Sequence, residues 1–187
     1  MANGILKVSN IQTSSGSGTI TLGQSGETVD FSNATTTLSS AMKNTPAFAV
    51  YQSSNVTLTS STETKLTWDT ELFDTDNAFS SNRFTCPSGG AGKYKFYVAA
   101  RVSTSADSMN TIYLVFQKNG SYVHSGTVTF YNFTNNDIHT FTPTQTNIIT
   151  LAENDYVEAY ISCDMDISSG TLNATANEFS GYRLIGV

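Results

Sequence analysis

The chain has 187 residues, a formal net charge of −6, and charged side chains at only 13% of positions. Its nine Lys and Arg are scattered, which excludes a phosphate-binding footprint for nucleic acid and a polybasic membrane site, and no apolar run approaches the ~20 residues needed to insert across a bilayer. Ser, Thr and Asn supply 68 residues, a composition that favours strands and turns, because Thr packs on a pleated surface while Ser and Asn compete with the helix backbone.

Residues 1–45 carry one aromatic, Phe31, and short alternations such as Thr19-Ile20-Thr21-Leu22, punctuated by Gly16, Gly18, Gly23 and Gly26. Alone, this segment buries too little apolar surface to offset its ordering entropy. It is either a flexible arm or an extended, β-rich arm ordered by pairing with other copies or a larger assembly; the regular turn signals favour short strands. Its start has one Lys and no extended apolar run, unlike a secretory signal, so the expectation is a protein made and used without export.

From Pro46 large apolar residues become denser and strand-like runs follow one another. They are AFAVYQ (47–52), TKLTW (64–68), RFTC (83–86), KYKFYVAARV (93–102), TIYLVFQK (111–118), TVTFYNF (127–133), NIITL (147–151), DYVEAYISC (155–163) and GYRLIGV (181–187). No segment holds helical period over three turns. Many short strands without intervening helices predict an all-β antiparallel sandwich or jelly roll.

Period-two alternation assigns the faces. Tyr94, Phe96, Val98, Ala100 and Val102 form a core face, with Lys93, Lys95, Tyr97, Ala99 and Arg101 opposite. Val157, Ala159, Ile161 and Cys163 share one side of their strand, and Tyr156, Glu158, Tyr160 and Ser162 the other. The run 111–118 is apolar on both sides, with Ile112, Leu114 and Phe116 opposite Tyr113 and Val115. Two-sided burial and outward tyrosines make Tyr113, Val115, Tyr156 and Tyr160 the candidate subunit interface.

Reactive chemistry is sparse. Gly89, Gly90 and Gly92 precede a strand, not a helix that could present its N-terminus to phosphate, so they read as a turn. His124 and His139 lack Cys or carboxylate neighbours at metal-ligand spacing. Cys86 and Cys163 read as buried small side chains, thiols in preference to a disulfide, and a core-facing Cys86 would be inert as a nucleophile. Glu71 with Asp74 and Asp76, and the pair Asp164 and Asp166, read as solvated turn carboxylates; a calcium site is the alternative, although neither has the Asp-rich loop pattern. No cofactor and no catalytic residue is expected. The sequons at Asn33, Asn55, Asn132 and Asn173 arise by chance in so Asn- and Thr-rich a chain. The loop FYNFTNND (130–137) places Tyr131, Asn132, Asn135 and Asn136 together, a candidate surface for stacking on and hydrogen-bonding to glycans. The plainer reading is a hairpin with Phe130 and Phe133 partly buried.

Five blocks from residue 47 onward resemble, in order, the globular head of complement component one-q, the jelly-roll branch related to tumour necrosis factor. They are Ala47-Phe48; Phe84-Thr85-Cys86-Pro87 with Gly92-Lys93-Tyr94-Lys95-Phe96; Phe116-Gln117-Lys118-Asn119-Gly120; Leu151 through Asp155-Tyr156-Val157; and Phe179-Ser180-Gly181-Tyr182-Arg183-Leu184. Phe84, Gly92, Tyr94, Phe96, Asn119, Gly120, Asp155, Phe179, Gly181 and Leu184 are the signature positions. Asn154 stands where the family has Gly, a change that Asn tolerates in left-handed geometry, and SGGA (88–91) lengthens a turn.

The resemblance implies a ten-stranded jelly roll over 46–187, a homotrimer, and binding without catalysis; relatives sometimes hold calcium near the trimer top. The start of the chain resembles the Gly/Ser/Thr-rich starts of tailed-bacteriophage fibre and decoration proteins. The expectation is therefore a virion structural protein, attached through residues 1–45 to capsid or tail, with a head available to host glycans or proteins. The alternative is a cellular complement-like or cytokine-like recognition module.

Overall fold

The computed structural model describes residues 25–29, 42–105, 108–123, 129–132 and 138–186, the segment 129–132 as backbone alone. The chain divides into two units, Met1–Thr37 and Leu38–Val187, and the strands below belong to the second. The strands expected before residue 24 lie outside the described residues.

Among the described residues there is no α-helix and there are sixteen strand segments. In chain order they are β1 (Ala47–Tyr51), β2 (Val56–Thr59), β3 (Thr64–Lys65), β4 (Thr70–Asp74), β5 (Phe79–Ser80), β6 (Arg83–Thr85), β7 (Gly92–Ala99) and β8 (Val102–Ser103). They continue with β9 (Met109–Lys118), β10 (Ser121–Tyr122), β11 (Thr129–Asn132), β12 (Thr140–Phe141), β13 (Thr144–Leu151), β14 (Tyr156–Met165), β15 (Ser169–Leu172) and β16 (Glu178–Arg183). One sheet runs β13-β7-β16-β1-β4, and the second runs β10-β9-β14-β6-β5, with β11 on β9 and β3 on β14. Every pairing is antiparallel, and the fold is a jelly-roll sandwich.

Sixteen segments appear in place of ten strands for a physical reason. A small third sheet, β12-β8-β15-β2, repeats the order β13-β7-β16-β1 of the first, so four long strands are each broken at a common level. The interruptions are Gln52–Asn55, Ala100–Arg101, Thr142–Pro143 and Asn173–Asn177. Pro143 has no N–H to give to a ladder. Two buried amides reconnect the strands there: Arg101 N–H donates to Asn177 Oδ1 at 2.6 Å, and Asn177 Nδ2 donates to Gln52 Oε1 at 3.2 Å.

The sandwich is filled from both sheets by the alternation expected of the sequence. Tyr94, Phe96, Val98, Ala100 and Val102 are all fully buried, as are Val157, Ala159, Ile161 and Cys163. Phe48, Phe96 and Phe179 of the first sheet meet Phe84 and Phe116 of the second, with ring centroids 5.2 Å apart for Phe48–Phe84 and 5.8 Å for Phe116–Phe179. Burying each ring is worth about 2 kcal/mol, so this layer is the centre of the core. Gly181 is required there: a Cβ would lie 2.6 Å from Phe96 Cδ1 and 2.9 Å from Phe48 Cε1.

The run 64–68 forms a strand only at Thr64–Lys65. Leu66 still donates to Ala159 O at 2.9 Å, but Trp68 N–H turns away to Asn82 Oδ1 at 2.7 Å, carrying the chain from the second sheet towards β4 in the first.

Candidate functional site

The glycine-rich turn is tied on all sides. Gly90 N–H donates to Pro87 O, and buried Tyr94 Oη donates to Gly90 O at 2.6 Å. Glu153 takes Gly89 N–H at 2.8 Å, and Arg183 Nη2 donates to Ala91 O at 2.8 Å. The Gly89 and Gly90 N–H groups are thus both engaged within the chain. Cys86 sits beneath it, its Sγ 3.8 Å from Tyr94 Oη. Both cysteines are free and buried. Desolvation raises the Cys86 thiol and pushes Cys163 up to about 12, which keeps both protonated and unreactive at neutral pH.

The hairpin turn Asn119-Gly120 uses positive φ at both residues, 51° and 76°, as a two-residue turn requires. Asn154 also takes positive φ, 67°, where the related motif has glycine. Between them Asp155 accepts from Ala152 N–H and Asn119 Nδ2, each at 2.7 Å, and pairs with Lys118 Nζ at 2.8 Å. The hydrogen bonds from Lys118 and Asn119 hold its carboxyl well below the usual range, at about 2. Asp155 is thus a structural clamp between two loops. Leu184 N–H donates to Lys93 O at 2.8 Å and extends the β7–β16 pairing beyond β16.

The acidic runs are tied locally. Asp74 accepts from Phe79 N–H at 2.7 Å; Asn110 Nδ2 donates to Asp166 at 2.8 Å and to Asp164 at 3.4 Å. Among the described residues no group of three His, Cys, Asp or Glu is arranged to hold a metal ion. His139 is exposed on the chain before β12, and His124, Asn135 and Asn136 lie outside the described residues. Tyr131 and Asn132 fall in β11, in register with Ile112 and Thr111 of β9.

The expected interface residues meet different surroundings. Val115 is only 1% exposed within the single chain, so it offers no outward contact; this corrects its place in the candidate interface. The two-sided burial of β9 arises inside the chain. Gln117 Nε2 donates to Glu63 Oε1 at 3.0 Å, Tyr122 Oη donates to the other Glu63 oxygen, and Lys65 pairs with Glu158 at 2.6 Å. Tyr160 Oη donates to Glu158 at 3.0 Å, and its hydroxyl pKa is pushed up to about 12, first by desolvation and then by this bond. Tyr156 lies under the Arg83 guanidinium, 4.5 Å from its ring centroid, and Tyr113 is half-buried, in register with Ser162.

The first sheet presents the more open apolar face. Leu72 and Phe73 of β4, Ile148 of β13 and Tyr182 of β16 are exposed large apolar residues. Tyr182, Lys95 and Ile148 stand in one cross-strand row, and Ser180, Tyr97 and Thr146 in the next. Tyr97 lines two shallow depressions, one of about 420 Å³ with Tyr51, Leu72 and Glu178, the other of about 170 Å³ with Lys95 and Tyr182.

A further cleft of about 410 Å³ lies at the side of the sandwich, lined by Trp68 and Asp69 together with residues of β1, β4 and β5 and the Ser81-Asn82 turn. Trp68 is 8% exposed, packs its ring 5.8 Å from Phe179, and has an indole Nε1–H without an acceptor. Asp69 Oδ1 takes Ser53 N–H at 2.7 Å, the main reason its carboxyl pKa is lowered. The sequence places Trp68 in a strand and points to no role for Trp68 or Asp69, and it groups Glu71 with Asp74 and Asp76. The available signal was the single Trp of the chain, followed at once by an acidic residue.

No protein-family model and no curated protein matches the sequence. Among solved structures the chain is similar to the globular domain of zebrafish complement 1qA protein, at 18% identity and a TM-score of 0.47, over 74% of this chain and 97% of that one. It is also similar to Eiger TNF from S. frugiperda, at 10% identity and a TM-score of 0.51, over 75% of this chain and 93% of that one. The latter likeness is one of fold: the described strands form a jelly roll of the tumour-necrosis-factor type.

Proposed function

We propose that the protein is a homotrimeric binding module of a tailed-bacteriophage virion, acting without catalysis. Residues 1–45 attach it to capsid or tail, and the jelly-roll head is presented to the host surface. The observation that carries the assembly is the open face of the first sheet, where Leu72, Phe73, Ile148 and Tyr182 leave apolar surface uncovered. Other copies of the same chain cover it, and three heads held together turn weak contacts into firm attachment through a high effective concentration. The Gly/Ser/Thr-rich start supports the particle assignment. The buried, protonated thiols support binding without a covalent step.

Light scattering on the full chain at micromolar concentration tests the assembly, with three times the 20.1 kDa chain mass expected; a stable monomer removes it. Mass spectrometry of purified virions tests the particle assignment. Finding the protein only as a free or cell-bound species favours a cellular recognition module on the same fold.

A further inference from the structure

Asn119 and Gly120 form the exposed two-residue turn between β9 and β10. In an Asn-Gly pair the backbone nitrogen of the second residue readily approaches the side-chain amide of the first, because glycine has no Cβ to crowd it. The Gly120 nitrogen attacks Asn119 Cγ and gives up its proton, and Nδ2 leaves as ammonia. Water then opens the resulting succinimide at either carbonyl, leaving aspartate or isoaspartate at 119. Water is the sole co-reactant, and nothing is oxidised or reduced.

The folded chain holds this amide at both ends. Asn119 Oδ1 accepts from Tyr156 N–H at 2.9 Å, and Nδ2 donates to Asp155 Oδ1 at 2.7 Å. The backbone is fixed as well, since Asn119 N–H donates to Tyr156 O at 3.0 Å. Asp155 in turn is held by Ala152 N–H and Lys118 Nζ. Ring closure draws Cγ towards Gly120 and turns the amide away from Asp155 and Tyr156. Breaking a hydrogen bond to a charged partner slows such a step by about tenfold or more.

The same contacts oppose the product. An amide nitrogen donates, whereas a carboxylate only accepts. Aspartate at 119 sets an oxygen where Nδ2 lies 2.7 Å from Asp155, whose own carboxyl is ionised at neutral pH because Lys118 and Asn119 hold its pKa at about 2. Two like charges so close repel each other, with the single cation of Lys118 between them. Isoaspartate adds a methylene to the main chain of a turn that closes with two residues.

We propose that Asn119 is a latent deamidation site, kept unreacted by the Asp155 clamp, and that its conversion unfastens the β9–β10 hairpin from the turn before β14. Loss of ammonia makes the change one-way. Neither the assembly of the head nor its ligand enters this chemistry.

The full chain is incubated in mildly alkaline buffer, folded and in urea, and peptide mass spectrometry follows the mass gain at Asn119, with fragmentation separating aspartate from isoaspartate. Asn3-Gly4, the other Asn-Gly pair of the sequence, is the positive control in urea. Asn119 is expected to convert about tenfold faster or more in urea than in the folded chain. Asp155→Ala, shown to be folded by a cooperative melting transition, is expected to convert at a rate between the two. Asn119→Asp, the product made directly, should lower the melting temperature of the parent and change that of Asp155→Ala much less, because the opposing charge is then gone. If Asp155→Ala fails to fold, the folded and urea rates of the parent and the melting temperature of Asn119→Asp still decide. The proposal is overturned if Asn119 converts no more slowly in the folded chain than in urea, or if folded Asp155→Ala converts no faster than the parent. It is equally overturned if Asn119 stays intact in urea while Asn3 converts, or if Asn119→Asp is as stable as the parent.

Discussion

Asn177 and Gln52, 125 residues apart in the chain and each 1% exposed, are joined by a 3.2 Å hydrogen bond across the line where four strands are interrupted together. The same Asn177 side chain accepts from Arg101 N–H, and Gln52 N–H donates to Asn177 O. One amide therefore replaces ladder bonds that the interruption removes.

Replacing Asn177 by Ala leaves the Arg101 N–H without its acceptor and the Gln52 side chain without its donor. Leaving buried polar groups unpaired costs roughly 1–3 kcal/mol apiece, so Asn177→Ala is expected to lower stability by about 2–4 kcal/mol. Urea unfolding monitored by circular dichroism measures this; a change below about 0.5 kcal/mol, typical of an ordinary surface substitution, contradicts the bridging role.

Gly181→Ala forces a methyl group against Phe96 and Phe48, both fully buried, and neither ring is a flexible chain end that can swing aside. Overpacking of this kind costs about 1–3 kcal/mol, and here the backbone of β16 must move as well. A lowered melting temperature is expected, and Phe96→Leu in the same chain should recover part of the loss by opening space.

Asp155 has a folded pKa of about 2, against ~3.9 for an unperturbed Asp. Because the folded value is depressed, its contribution to stability is present above the unfolded value and is lost as pH falls from ~4 towards 2. Solvent screening of this partly exposed pair reduces the contribution to about 1 kcal/mol. Stability measured from pH 7 to pH 2 should fall less steeply in Asp155→Asn than in the parent, and the two curves should converge at the acid end.

Ile148→Lys puts a charge on the edge strand β13 of the open face, in register with Lys95. Combined with Tyr182→Ala, it is expected to convert the proposed trimer to monomer in light scattering at micromolar concentration while the melting transition stays cooperative. Tyr113→Ala and Tyr156→Ala should leave the trimer intact. Dissociation by the second pair and not the first would return the interface to the face expected from the sequence.

What could be read from the sequence was local in origin. Tyr94, Phe96, Val98, Ala100 and Val102 announce a core face because a strand's side chains alternate with period two. Asn119-Gly120 announces its turn because few residue pairs adopt two successive positive φ angles. Both follow from neighbours along the chain, and the all-β class with them.

The remaining features depend on residues distant in sequence. Val115 looked outward because alternation shows which side a residue faces and says nothing of what covers that side; Glu63, Lys65 and Tyr122 supply a network there from elsewhere in the chain. The Asn177–Gln52 bridge exists only because four strands break at one level. The cleft beside Trp68 exists only because the last strands of two sheets, β4 and β5, come to the same side of the sandwich. Sequence periodicity thus determined the strands and their buried faces, whereas the open face, the buried amide bridge and the cleft were decided by which distant strands the fold sets side by side and where they break.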